Sequence, residues 1–62
     1  MTDDEMMALA VKLFGGREEA ERWFASEVIA LDHQIPSQLI QTQEGRQKVE
    51  DVLVRLDYGV YT

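Results

Sequence analysis

The chain has no cysteine, and at 62 residues that absence constrains its fold more than any other feature. A domain of this size buries only about 60% of the surface its unfolded chain exposes, so its core is thin. Small domains usually add disulfides, a metal or a partner to such a core. Disulfides and thiolate metal sites are ruled out here by composition. The single histidine, His33, cannot form a metal cluster alone, and no carboxylate pattern matches a calcium loop. No metal, cofactor or catalytic residue is therefore assigned. The remaining support is a protein partner or a second copy of the chain.

Six basic and twelve acidic residues give a net charge of −6. That balance argues against nucleic acid, whose binders draw affinity from a positive footprint. It favours a basic protein partner, although it also serves solubility. No apolar run is long enough to span a bilayer, and the acidic start Met1-Thr2-Asp3-Asp4-Glu5 is unlike a signal peptide. The lack of cysteine fits a reducing cytoplasm.

Along the chain the pattern is helical throughout. Thr2 followed by Glu5 has capping-box spacing, with Asp3 and Asp4 placed well for the helix dipole. Met6, Leu9, Ala10 and Leu13 share one face, but Met7, Val11 and Phe14 lie off it. A helix apolar nearly all round must be covered on more than one side. Either it is a central core helix or part of it is an interface, which leaves a homodimer open beside a monomer. Gly15-Gly16 ends this helix, and a second runs from about Arg17 to Ala25 with Ala20, Trp23 and Phe24 inward. Trp23 is expected in the core rather than on a binding platform.

Val28-Ile29-Ala30-Leu31 is apolar but too short to assign by periodicity, and Asp32-His33-Gln34 reads as a turn. Pro36 opens a further short helix that brings Leu39 and Ile40 to the core. Thr42 caps the last helix, whose inward stripe is Val49, Val52, Leu53 and Leu56. Arg46, Gln47, Lys48, Glu50, Asp51 and Arg55 fall on its solvent side, and Val54 is a candidate exposed contact. Gly59 ends the helix and leaves Val60-Tyr61-Thr62 as an apolar and aromatic tail, where chain ends are usually polar. Together these elements predict one all-α domain over residues 1–62, a small bundle of four to five short helices.

Catalysis finds no constellation. Ser37 lies four residues after His33, but nothing supplies a triad. Gly15-Gly16 leads into Arg17, Glu18 and Glu19, whose carboxylates would oppose phosphate. Glu18/Glu19 and Glu50/Asp51 are solvated helix faces rather than acid–base pairs. A DNA-binding helix-turn-helix would gather basic residues on one helix, whereas here they are spread among acidic neighbours. A binding module is the leading class, with an adaptor or self-associating domain as the alternative.

An ordered series of residues is more specific than any one of these signals. Leu13-Phe14-Gly15-Gly16, Glu19-Ala20, Trp23-Phe24, Leu31, Ile35-Pro36, Leu39-Ile40, Thr42, Gly45, Val49, Leu53, Arg55-Leu56 and Tyr58-Gly59-Val60-Tyr61 cover nearly the whole chain. This series resembles the toxin-binding domain of the Xre/MbcA/ParS-like antitoxins. The resemblance implies a partner, a RES-domain toxin that degrades NAD or transfers ADP-ribose in the bacterial cytoplasm. It also implies that the last helix and C-terminal tail cover the toxin's NAD pocket. Arg55, Tyr58, Gly59, Val60, Tyr61 and Thr62 thus become the expected partner-binding residues. A tail ending in an aromatic and a carboxylate would suit a pocket whose basic groups hold phosphates.

The chain departs from the family in two places. Asp32-His33 stand where many members carry a glycine pair. The N-terminal helix-turn-helix typical of the group is expected to be absent, so promoter binding is not carried over.

Overall fold

The structure, a computed structural model, describes residues 1–59. Its elements are α1 (Asp3–Phe14), α2 (Arg17–Ala25), one 3₁₀ turn (Ile29–Leu31), α3 (Pro36–Leu39) and α4 (Gln43–Tyr58). The all-α expectation holds. Among the described residues the sole β-type pairing is an isolated antiparallel bridge between Val28 and Gln34, and no helix is long and apolar enough to cross a membrane.

Local chemistry explains where the helices begin and end. The Thr2 hydroxyl accepts from the Glu5 N–H at 3.1 Å, and the Glu5 carboxylate accepts from the Thr2 N–H at 2.7 Å. Two of the N–H groups at the start of α1 that have no helical partner are thereby satisfied. Gly15 closes α1 in the left-handed region (φ 96°), donating to the Val11 carbonyl at 3.0 Å. The Thr42 hydroxyl caps α4 by accepting from the Gly45 N–H at 3.0 Å.

The core consists of Met6, Ala10, Ala20, Phe24, Leu31, Val49, Val52 and Leu53. Helix α1 packs against both α2 and α4, which is why it is apolar nearly all round. Met7, Val11 and Phe14, off its main face, are half-buried against the core, as are Leu9 and Leu13. Leu39, Ile40 and Leu56 also pack on its edge. Gly45 is buried because α4 begins directly over α3. A Cβ at that position would collide with the backbone carbonyl of Leu39.

Three sequence expectations need correction. Trp23 is half-buried rather than interior, stacked on Phe14 (centroids 5.2 Å apart) and edge-on to Phe24 (5.1 Å). Arg46 and Glu50 are half-buried rather than solvent-facing, because the segment before α1 crosses α4 there. Arg46 donates to the Asp3 carboxylate and, at 2.8 Å, to the Met1 carbonyl, and Glu50 faces the Met1 amino group at 2.7 Å. Val54 is half-buried rather than exposed.

Candidate partner-binding surface

The inward stripe of α4 leaves its opposite side to solvent. Gln47, Asp51, Arg55 and Tyr58 recur there at helical spacing and are all exposed. Arg55 and Tyr58, three residues apart, stand together on the last turn, and Tyr58 is 76% exposed. Gly59 follows in the left-handed region (φ 67°), its N–H turned back to the last carbonyls of the helix. Three of the expected partner-binding residues are therefore gathered at one end of α4. Val60, Tyr61 and Thr62 lie outside the described residues.

Arg55 stands on a ridge between two shallow depressions. One, of about 150 Å³, is lined by Ala30, Leu31, Asp32, Lys48, Asp51, Val52 and Arg55. The other, of about 500 Å³, is lined by Met1, Gln47, Glu50, Asp51, Val54 and Arg55. Lys12, Arg17, Arg22 and Arg46 are each in an ion pair, with Asp57, Glu21, Glu18 and Asp3 respectively. Lys48 and Arg55 have no such pair among the described residues.

The wall facing Lys48 and Arg55 belongs to the 28–34 segment, of which the sequence left 28–31 unassigned and read 32–34 as a turn. The Val28 N–H donates to the Gln34 carbonyl at 3.1 Å, and the His33 N–H donates to the Val28 carbonyl at 3.0 Å. Closing this loop puts Asp32 (φ 58°) and His33 (φ 63°) both in the left-handed region. Glycine is the residue that adopts this region without steric cost, and neither position holds one. The loop buries Leu31 and turns Ile29 outward, 79% exposed. Sequence reasoning missed Ile29, since exposure of an aliphatic residue in a short apolar run depends on how the turn docks.

Among the described residues His33 and Ser37 are not brought to one site. His33 lines an open cleft of about 430 Å³ with Glu27, Gln34, Ile35, Gln38 and Leu39. Ser37 lines a different, apolar cavity of about 180 Å³ with Met6, Met7, Phe24 and Ile40. Among the described residues no group of three histidines or carboxylates is placed to hold a metal, and no buried side-chain polar atom lacks a partner. The one resolved shift in acidity is at Glu5, in the α1 cap. Hydrogen bonds from the Thr2 backbone and hydroxyl hold its carboxyl below the usual range.

Comparison with known proteins supplies the remaining observation. Residues 9–59 match the family model described as the antitoxin Xre/MbcA/ParS C-terminal toxin-binding domain. A protein named Antitoxin Xre from Yersinia enterocolitica (serotype O:8 / biotype 1B, strain NCTC 13174 / 8081) is 36% identical over 58 residues. The match takes in 92% of this chain and 39% of that protein, so the chain spans about two fifths of the relative's length. No solved structure matches.

Proposed function

The chain belongs to the antitoxin Xre/MbcA/ParS C-terminal toxin-binding domain family, and from that premise we propose that it neutralises a RES-domain toxin by covering the toxin's NAD pocket. The last turn of α4 and residues 60–62 form the cover. The toxin, acting on NAD in the bacterial cytoplasm, degrades it or transfers its ADP-ribose. The chain does no chemistry of its own, since an inhibitor of this kind needs only to fit and to exclude substrate.

The observation that carries this reading is the pairing of Arg55 with an exposed Tyr58 on the last turn of α4. Tyrosine and arginine are the side chains most often found at the energetic centre of interfaces. The net charge of −6 suits a pocket whose basic groups ordinarily hold the phosphates of NAD.

The test takes the product of the adjacent reading frame and measures its NAD consumption. Equimolar chain should stop turnover. Deleting Val60 to Thr62 should weaken inhibition by about tenfold or more, with the circular dichroism spectrum unchanged. A chain that neither binds the protein nor slows NAD loss would refute the function. Full inhibition by the truncated chain would refute the role of the tail.

A further inference from the structure

We propose that the 28–34 turn is a second contact of the same module, with Ile29 as its anchor. Ile29 enters an apolar cleft on the neutralised protein, and Lys48 and Arg55 meet carboxylates on the rim of that cleft. This inference rests on the function proposed above and adds to it a surface beside the α4 end.

Independent observations meet at this place. A lone exposed aliphatic residue is unremarkable on a protein surface. Ile29, however, sits on a turn that keeps two consecutive non-glycine residues, Asp32 and His33, in the left-handed region. Strain retained in this way is characteristic of binding sites. The turn is held rigid by the Val28–Gln34 bridge and by Leu31 buried beneath it. Ile29 is thus presented on a fixed support, which lowers the entropy cost of docking it.

Charge identifies the occupant. Lys48 and Arg55, two helical turns apart on α4, face this turn across the depression lined by Ala30, Leu31 and Asp32. In a chain of net charge −6 they are without an ion pair among the described residues. Asp32 and Asp51 line the same depression but stand outside ion-pair reach of either cation. A phosphate would bring close to two negative charges against those carboxylates. A protein carboxylate carries one, and it can accept both parallel N–H groups of the Arg55 fork. The fitting occupant is therefore a protein cleft with an apolar floor and an acidic rim.

Calorimetric titration of the chain with the product of the adjacent reading frame tests this directly. Wild type, I29D and K48E are compared, with I29S as a milder change at the anchor. I29D should weaken binding by about tenfold or more, I29S by less, and K48E by about threefold with a flatter salt dependence. All three variants should melt like the wild type, because both side chains are exposed. At saturation I29D should still inhibit NAD consumption fully, since Ile29 anchors the complex and does not plug the pocket. Binding of I29D and I29S within about twofold of wild type would overturn the inference while leaving the proposed function standing. Loss with I29D but none with K48E would overturn the acidic rim. Failure of the wild-type chain to bind would overturn the proposed function and this inference together.

Discussion

On one side of α4, Val49, Val52 and Leu53 are buried against α1 and the 3₁₀ turn, whereas on the other side of the same helix Tyr58 is 76% exposed. On the 3₁₀ turn that packs against α4, Ile29 is 79% exposed. A domain with so thin a core gains from every apolar side chain it can bury, by about 1.5–3 kcal/mol for an aliphatic one. Leaving Ile29 and Tyr58 outside is therefore informative, while the interior is filled with residues as small as Ala10 and Ala20. The inner side of α4 answers to folding, and the outer side is the one proposed above to bind. Substitutions should separate the same way.

The largest effects should fall on the inner side. Gly45→Val would force the backbones of α3 and α4 apart at Leu39 and should abolish cooperative unfolding in urea, since the close approach has no flexible atom to yield. Leu53→Ala should cost about 2–5 kcal/mol by the same measurement, as a fully buried leucine leaves a cavity behind. If either variant kept wild-type stability, the inner side would not be the core described here. On the outer loop the sign should reverse. His33→Gly should stabilise the domain by about 1 kcal/mol, because glycine adopts φ 63° without the Cβ clash. A loss of stability would show that the His33 side chain holds the turn.

The smallest effects should come from the α1 cap. Thr2→Ala should cost about 1 kcal/mol in urea denaturation. Glu5 supplies the pH dependence. Its folded carboxyl is held below the usual range by Thr2, so its contribution is complete above the ordinary glutamate pKa and is lost as pH falls through the lowered one. Glu5→Gln should therefore flatten the acid limb of stability relative to wild type below about pH 4. An identical acid limb in both proteins would remove the capping box from the account.

What the sequence made legible was local. Thr2, Gly15, Thr42 and Gly59 act on backbone groups within a few residues of themselves, and each stands at the helix end its chemistry predicts. The stripe of α4 was legible for the same reason, and with it the outward placement of Arg55. Features that depend on one element crossing another were not. Arg46 and Glu50 look like solvent-side residues until the segment before α1 lies over them. Gly45 looks like an ordinary residue in a first helical turn until α3 places the Leu39 carbonyl against it. Trp23 looks interior until its neighbours prove to be two aromatic rings rather than a closed shell. The exposure of Ile29 belongs to the same class, being set by the docking of a turn whose left-handed residues are not glycine.

The central claim is that the end of α4 excludes NAD from the partner, and one paired measurement tests it. Thermal unfolding of the R55A/Y58A variant is recorded beside its inhibition of NAD consumption by the RES-domain protein. The account predicts a melting temperature within about 3 °C of wild type, because exposed substitutions change stability little. Inhibition should be weaker by about a hundredfold, as expected when two central contacts are truncated. Undiminished inhibition by a folded R55A/Y58A protein would contradict the claim.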